Sequence, residues 1–304
     1  MSRGNKHDYL GMDIEIKERL VYFSMEKQIE EALEWGGRQR GRKPATPAKS
    51  DLFLQIDGEN ELDSDSSDAY HSIVQKLLYI CKRARPDIES ALSYLCTKVS
   101  KQIESDQLKL DRVLDFLQGT ISDPRIFGAS SLEDMYTWVD ASFAVHDNKR
   151  SHTGGTISFG RGVIHAKSSK QKLNTKSSTK AELVGVSEYL PYHIWFVNFL
   201  KCQGYDIKNK VLYQDNESTI KMERNGRNSC TGNSRHVDIR YFFVCDRVRS
   251  GKIKVIYCLT DRMIADFFTK PLQGKYFKTF REAIMGYDMK DIVVNLLKKN
   301  NINE

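Results

Sequence analysis

Four acidic residues are the best candidates for chemistry in this sequence. Asp140 lies within the apolar stretch MYTWVDASFAV, Glu182 within STKAELVGV, Asp215 within VLYQDNES and Asp266 within MIADFFTKPL. A carboxylate inside an apolar strand needs a charged partner or a cation, because burying it alone is costly. Oxygen ligands without His or Cys suit Mg²⁺ or Mn²⁺, and two such ions about 3.5–4 Å apart can activate water and stabilise the leaving oxygen of a phosphate ester. We therefore predict a site in which the four carboxylates share a metal pair.

Each acid also has a purely structural interpretation. Asp215 could cap the helix that follows it, and Glu182 could complete the capping box TKAE at the start of another helix. Asp266 could be an ordinary solvated helix residue. Asp140 has no such simple explanation, because apolar residues flank it inside its strand. The combined pattern, rather than any one acid, favours the metal site.

The predicted elements explain how these acids could meet. The predicted strands are 135–145, 155–160, 162–168, 210–214 and 253–258, and the predicted helices are 178–202, 216–224, 236–249, 260–269 and 274–285. The segments SHTGG and GRG predict hairpin turns, and Pro191 predicts a kink or break in the long helix. If the first and fourth strands are neighbours in a mixed sheet, the end of the fourth strand places Asp215 beside Asp140. The fold class predicted is α/β with a mixed five-stranded sheet flanked by helices.

The first half of the chain has a different organisation. The segment KHDYLGMDIEIKERLVYFSM predicts a strand pair around a polar turn, followed by a helix that begins at Ser24 and ends at Gly36. Residues 38–68 change from basic and Pro-containing to acidic and apolar-poor, which is typical of a linker or long loop. Helical periodicity then covers 69–83, 86–100 and 104–118.

Composition and charge limit the classes of function. The 304 residues include 40% hydrophobic ones, enough for real cores, and the six cysteines contain no C-x-x-C pair typical of a zinc ribbon. No apolar run is long enough to span a membrane and no secretory signal precedes the first element, so we expect an intracellular protein without a membrane partner. Residues 136–286 carry 25 Lys and Arg against 13 Asp and Glu. This basic balance favours a polyanionic partner, although a solvated basic face would give the same count.

Several motifs together resemble a known family. YTWVDASFAVH, SHTGG, KQKLNTKSSTKAELVGVSEYL, LYQDNESTIK, SRHVDIRYFF and ADFFTKPLQG occur in this order. As a set they resemble the ribonuclease H domain of copia-type LTR retrotransposon polyproteins. Upstream, HDYLGMDIEI resembles the primer-grip strand pair of the reverse transcriptase of these elements. LLYICKRARPDIESALSYLCTKVS and LDRVLDFLQGT resemble the helices that join polymerase and ribonuclease H.

The resemblance implies a domain order and a reaction. It implies a primer-grip-like strand pair and thumb helix (1–37), a linker (38–68), a helical connection region (69–130), a ribonuclease H domain (131–286) and a tail (287–304). A ribonuclease H fold would hydrolyse the RNA strand of an RNA·DNA hybrid, leaving 5′-phosphate ends, with two Mg²⁺ ions for which Mn²⁺ can substitute. The family's metal ligands fall on Asp140, Glu182, Asp215 and Asp266. Asp140 and Asp215 would hold both ions, Glu182 would orient the nucleophile, and Asp266 would complete the second ion's shell.

The resemblance also implies partners and a location. Besides the hybrid, a separate polymerase palm or integrase of the same element is the expected partner, in a cytoplasmic virus-like particle or in the nucleus. The sequence departs from the family in three places. It lacks the palm motif Tyr-x-Asp-Asp, which predicts a polyprotein fragment without polymerase activity. Lys180 stands where related elements often carry an acid, and the segment YCLTDRM between the last predicted strand and Asp266 contains no His. His236 is an auxiliary candidate in its place, although capping or packing at the start of its helix is the favoured interpretation.

A polar and basic segment leads into the Glu182 helix and predicts contacts to phosphates and 2′-hydroxyls. The predicted nucleic-acid-binding residues are Lys167, Lys170, Lys172, Asn174, Thr175, Lys176, Ser177 and Ser178, together with Arg227 and Arg235 further along the chain. A solubilising loop is the alternative interpretation. For the chain as a whole, the alternatives are an inactive hybrid-binding or structural subunit from a degraded element, and an integrase, which the acid order Asp-Glu-Asp-Asp disfavours.

Overall fold

A computed structural model of the chain describes residues 4–36, 41, 43–55, 58–129, 131–225 and 235–287. The chain forms two compact units. Unit 1 comprises Met1–Gly128 and Lys270–Tyr287, and unit 2 includes Ala129–Thr269. The last helix therefore packs in unit 1, whereas the sequence placed it in a domain over 131–286. The remaining predicted domain boundaries stay predictions.

The described residues of the two units form ten strands and eight α-helices. The strands are β1 (Lys6–Tyr9), β2 (Met12–Lys17), β3 (Leu20–Ser24), β4 (Arg125–Ala129), β5 (Asp134–Ser142), β6 (His152–Ser158), β7 (Gly160–Arg161), β8 (Val163–Lys170), β9 (Asn209–Gln214) and β10 (Lys254–Tyr257). The helices are α1 (Glu26–Trp35), α2 (Ser64–Arg83), α3 (Glu89–Cys96), α4 (Glu104–Gln118), α5 (Ser178–Cys202), α6 (Glu217–Asn225), α7 (Arg235–Arg249) and α8 (Gly274–Met285). Short 3₁₀ helices cover Pro86–Ile88, Thr260–Arg262 and Ile264–Phe268.

Unit 1 begins with three antiparallel strands where the sequence predicted a single pair. β1 pairs with β2, β2 with β3, and β3 with β4. Both tight turns have positive φ at their central residues, 54° and 69° at Leu10 and Gly11, and 52° and 63° at Glu18 and Arg19. Turns of this kind match the twist of the flanking strands. Ser24 remains in β3, so the helix expected to begin there starts at Glu26 instead.

The linker predicted over 38–68 is partly wrong. Among its described residues, Leu52 and Thr46 are buried. Helix α2 already begins at Ser64, because the Asp63 carboxylate accepts a hydrogen bond from the backbone N–H of Ser66 at 2.9 Å and caps the helix. The acidic composition that predicted a solvated loop therefore serves a helix N-terminus.

Unit 2 contains a mixed sheet of five strands in the order β10-β9-β5-β6-β8. β5, β6 and β8 are antiparallel neighbours, while β9 is parallel to β5 and β10 is parallel to β9. This sheet confirms the predicted α/β fold class with a mixed five-stranded sheet flanked by helices. The parallel pairing of β5 with β9 sets Trp138 opposite Tyr213, which fixes the relative position of the acids that follow.

The two faces of β5 have different neighbours. Met135 and Val139 pack with Leu183 of α5 in the main apolar core of unit 2. Because side chains alternate along a strand, Trp138 and Asp140 point to the opposite face. Helix α5 runs continuously from Ser178 to Cys202, so the break predicted at Pro191 does not occur, while a kink there stays a prediction. Pro191 is exposed and has no N–H to donate to the backbone carbonyl four residues earlier. The residue that carries this carbonyl is half-buried, so water can reach it.

The SHTGG segment is a strand rather than the predicted turn. All its residues from His152 onward lie in β6 and are buried. A side chain at Gly155 would overlap the ring of Tyr189 of α5, and one at Gly154 would lie 2.9 Å from the carbonyl oxygen of Ala265. These glycines therefore allow a helix to approach one face of the sheet and a 3₁₀ helix to approach the other.

No helix in the described part of the chain is both long and apolar enough to cross a bilayer.

A buried acid in α6 predicts an unusual dependence of stability on pH. Glu223 is fully buried, its carboxyl oxygens have no hydrogen-bond partner among the described residues, and burial raises its pKa from 4.5 to about 8. Above pH 4.5 the unfolded chain releases this proton while the folded chain keeps it, so stability falls as pH rises to about 8. Between pH 4.5 and 7 this effect should lower the free energy of unfolding by about 3 kcal/mol, and we expect Glu223→Gln to abolish that decrease.

Urea unfolding at several pH values tests this expectation. Glu217→Gln is the matched control, because Glu217 is an exposed acid in the same helix. If the wild-type and Glu223→Gln stabilities run parallel over the whole pH range, Glu223 does not titrate as its burial requires.

Candidate metal-binding site

Three of the four predicted acids meet at one edge of the unit 2 sheet. Asp140, Asp215 and Asp266 each offer a carboxylate oxygen, and these three atoms lie within 4.8 Å of one another. Asp140 and Asp266 are buried, with exposed fractions of 2% and 6%, while Asp215 is half-buried. Two acids of the cluster therefore lie in the interior, while solvent can reach the third, Asp215.

The strand register explains this meeting. Trp138 of β5 pairs with Tyr213 of the parallel strand β9, so Asp140 and Asp215 lie two residues further along neighbouring strands in the same direction. Asp266 comes from the 3₁₀ helix Ile264–Phe268, which packs against β5 and β6. Parallel order, rather than proximity in sequence, brings the three acids together.

Glu182 lies near the cluster but outside the group of three. It is buried, it is the fifth residue of α5, and its Oε2 lies 3.5 Å from the donating side-chain nitrogen of Gln214. The side-chain oxygen of Gln214 accepts from the backbone N–H groups of Asp215 and Asn216 at 2.9 and 3.3 Å. Gln214 thus connects Glu182 to the backbone that carries Asp215. Gln214 was not among the predicted site residues, although it directly precedes a predicted ligand.

Two threonines also contact the acids and were missed. The hydroxyl of Thr269 donates to Oδ2 of Asp140, and its backbone carbonyl accepts from the Ser142 hydroxyl at 3.1 Å. The hydroxyl of Thr260 lies 3.5 Å from Oδ2 of Asp215. The spacing of three residues between Asp266 and Thr269 is the sequence signal that could have identified Thr269, since both residues then lie on one short helical turn.

The structural interpretations of the acids do not hold in the described structure. The side chain of Asn216 accepts from Thr219 N–H at 3.1 Å and caps α6, a role considered for Asp215. The N-cap of α5 is Ser177, whose hydroxyl accepts from the backbone N–H of Lys180, rather than the TKAE box. Asp266 is buried in a 3₁₀ helix rather than solvated on a longer helix over 260–269.

The donor set of the cluster fits a hard divalent cation. At an effective dielectric constant of about 20, two carboxylate charges 4.8 Å apart repel by about 3–4 kcal/mol. A cation among them turns this repulsion into attraction. Cys258 is the nearby soft ligand, but burial, with the charge of Asp215, raises the pKa of its thiol to about 12. Its sulfur is not among the atoms that converge in the group of three acids, so carboxylate oxygens define the donor set of the site.

The predicted nucleic-acid residues of β8 divide between the two faces of the sheet. Lys167 donates to the hydroxyl of Tyr192 on α5 at 3.1 Å. Lys170 pairs with His152 in the strand register and lies on the same face as Ser168, the face of the acidic cluster.

The predicted residues after β8 are mostly exposed. Lys172, Asn174, Lys176 and Ser178 are exposed, whereas Thr175 is half-buried near Ser151. Arg227 and the side chains of Arg235 and His236 lie outside the described residues. The contacts of all these residues with nucleic acid stay predictions.

Comparison with known proteins identifies relatives over nearly the whole chain. No model of a known protein family matches. The Pol polyprotein of transposon TNT 1-94 from Nicotiana tabacum is 28% identical over 288 residues, which cover 92% of this chain and 22% of the relative. That of transposon RE1 from Arabidopsis thaliana is 26% identical over 91% of this chain and 19% of the relative. The Gag-Pol polyprotein of transposon Ty1-NL2 from Saccharomyces cerevisiae is 26% identical over 90% of this chain and 16% of the relative.

Among solved structures, a foamy viral protease-reverse transcriptase in complex with an RNA/DNA hybrid aligns over 89% of this chain and 31% of that chain, with 12% identity and a TM-score of 0.47. This likeness is too weak to carry an argument. The chain spans about a fifth of the length of the curated relatives that it matches. Their names confirm the resemblance found in the sequence motifs. The chain is homologous to the Pol polyproteins of copia- and Ty1-type retrotransposons over about nine tenths of its length.

Proposed function

We propose that the chain is a metal-dependent endoribonuclease that hydrolyses the RNA strand of RNA·DNA hybrids, as part of a retrotransposon reverse transcriptase. The observation that carries the proposal is the meeting of Asp140, Asp215 and Asp266 at one sheet edge. A chain homologous to Pol polyproteins gives this cluster a natural substrate, since copying RNA into DNA produces hybrids. Unit 2 would be the nuclease, and unit 1 the thumb and connection region.

The proposed site would hold two divalent ions, Mg²⁺ or Mn²⁺. Asp140 and Asp215 would bind both ions, with Asp266 and Glu182 completing one shell each. The ions would supply an activated water and charge stabilisation at the phosphate. Within the chain, Thr269 orients the Asp140 carboxylate, and Gln214 holds the Asp215 backbone beside Glu182. These contacts reduce the reorganisation needed when a phosphodiester enters the site.

The exposed polar segment after β8 supports the choice of a nucleic acid substrate. It leads directly to Ser177, the N-cap of α5, and so to the helix turn that carries Glu182. Lysine side chains there can neutralise phosphates, and the hydroxyl and amide groups can reach ribose 2′-hydroxyls. A further polymerase or integrase domain of the same element is the second partner we propose, with the virus-like particle or the nucleus as the location.

Cleavage of a hybrid tests the proposal directly. The full chain is incubated with an end-labelled RNA·DNA hybrid in Mg²⁺, in Mn²⁺ and in EDTA, with RNA·RNA and DNA·DNA duplexes of the same sequence as controls. We expect the RNA strand of the hybrid alone to be cut, in either metal and not in EDTA. Binding of the hybrid without cleavage in both metals would contradict the proposal and favour the inactive hybrid-binding alternative.

A further inference from the structure

A series of hydrogen-bonded, buried polar groups leads to the 3₁₀ helix that carries Asp266 of the acidic cluster. Nε2 of His146 lies 2.9 Å from Nδ1 of His152, and Nε2 of His152 lies 2.6 Å from the Ser168 hydroxyl. That hydroxyl lies 2.7 Å from the backbone carbonyl oxygen of Phe268. His146, His152 and Ser168 are 3%, 0% and 6% exposed. Buried polar groups require partners, and this hydrogen-bonded series supplies them from the segment between β5 and β6 to the 3₁₀ helix Ile264–Phe268.

The hydroxyl of Ser168 has a single proton, and this determines which group donates in each hydrogen bond of the series. Because a carbonyl can only accept, Ser168 donates its proton to Phe268 and must accept from Nε2 of His152. Nδ1 of His152 then carries the lone pair and accepts from Nε2 of His146. Burial, with the nearby His146 and Lys170, lowers the pKa of His152 to about 3, in agreement with the neutral ring that this order needs.

The series ends on the segment that completes the acidic cluster. Phe268 lies between Asp266, two residues before it, and Thr269, whose hydroxyl donates to Asp140. The same segment rests on Gly154, where an added Cβ would lie 2.8 Å from Cβ of Phe268. The absence of a side chain at Gly154 lets the segment lie close against the sheet. The hydrogen bond from the Ser168 hydroxyl fixes the backbone carbonyl of Phe268, which lies between Asp266 and Thr269.

We propose that Ser168 and His152 are positioning residues that hold Asp266 and Thr269 in register with Asp140, and so set the spacing of the metal-binding oxygen atoms. This inference rests on the proposed function for its choice of metal. Mg²⁺ demands near-ideal octahedral geometry. A loosened Asp266 segment therefore weakens Mg²⁺ binding strongly, and groups that orient metal ligands typically contribute about 10–100-fold in affinity.

The test compares Ser168→Ala with Ser168→Thr, which keeps the hydroxyl, and with Ser169→Ala, the same change at the next position of β8. We expect Ser168→Ala to raise the Mg²⁺ concentration for half-maximal cleavage by about tenfold or more, with the KM for hybrid unchanged. Ser168→Thr should restore most of the metal affinity, and Ser169→Ala should resemble the wild type. His152→Gln, which keeps a donor towards Ser168 but breaks the link to His146, should give an intermediate shift.

Calorimetric titration with Mn²⁺ separates this inference from the proposed function, because it needs no activity. Weaker Mn²⁺ binding by Ser168→Ala supports positioning even if the wild type cuts no hybrid. Equal metal affinity and equal cleavage in wild type and a folded Ser168→Ala would overturn it. If Ser168→Ala does not fold, His152→Gln decides: an unchanged metal affinity in that variant also overturns the inference.

Discussion

Replacing Asp140 with Asn is expected to slow cleavage of the RNA strand by about a thousandfold or more. Asn has nearly the same shape, and its side-chain oxygen can still accept from Thr269. The substitution removes only the charge that the proposed pair of cations would require. Loss of about 4 kcal/mol of charge stabilisation corresponds to about a thousandfold in rate. Single-turnover cleavage with saturating enzyme measures this effect without interference from product release.

The matched control for Asp140→Asn is Asp246→Asn. Asp246 lies in α7 of the same unit, and its side chain is 68% exposed. The Asp246→Asn variant should therefore cleave the RNA strand at the wild-type rate. Circular dichroism and thermal unfolding of both variants check the fold, and hybrid binding is measured in EDTA. A folded Asp140→Asn that cuts within about tenfold of the wild type would place the chemistry elsewhere.

The acidic cluster was predictable because the apolar segments of the sequence indicate the strands and their order. An acid in an apolar strand and an acid directly after another strand become neighbours once these strands are parallel, and β5 and β9 are. Residues that orient the acids were not predictable in the same way. Gln214 and Thr269 act through side-chain contacts that depend on which faces meet after folding. The spacing from Asp266 could have identified Thr269 as a neighbour of the site, but the acid that it contacts, Asp140, is determined only by folding.

The incorrect expectations have a common physical cause. Glycine in SHTGG signals a turn when conformational freedom is considered, but in β6 it provides space for Tyr189 and for the segment after Ala265. Acidic residues before α2 signal a solvated loop, but Asp63 caps a helix. Each residue type has two uses, and tertiary packing selects between them.

The assignment of α8 to unit 1 also depends on packing that sequence periodicity cannot reveal. Arg281 of α8 donates to the Asp87 carboxylate at 2.9 Å and to Asp123 at 2.5 Å. Arg85 makes two further bonds of 2.9 Å to Asp87. Arg85 and Asp87 are 0% and 1% exposed. A buried carboxylate shared by two guanidinium groups therefore joins α8 to the 3₁₀ helix Pro86–Ile88.

Replacing Asp87 with Asn is expected to destabilise unit 1 by about 3–5 kcal/mol, because it leaves buried guanidinium groups without their shared counter-charge. Burial by itself would raise the pKa of Asp87, but Arg85 and Arg281 lower it from 3.8 to about 2. The stabilisation is therefore present above about pH 4 and is lost as pH falls towards 2. In Asp87→Asn this part of the acid sensitivity should disappear along with the stability.

Hydrogen exchange measured on peptides locates this effect. Protection should fall in α2, α3, α4 and α8, and much less in β5, β6 and β9. Asp68→Asn, an exposed position on α2, should change stability by less than about 0.5 kcal/mol. If Asp87→Asn leaves α8 as protected as in the wild type, the ion network does not hold that helix in unit 1. In that case apolar packing of α8 holds it, including the contact of Phe277 with Phe116, whose ring centroids lie 5.9 Å apart.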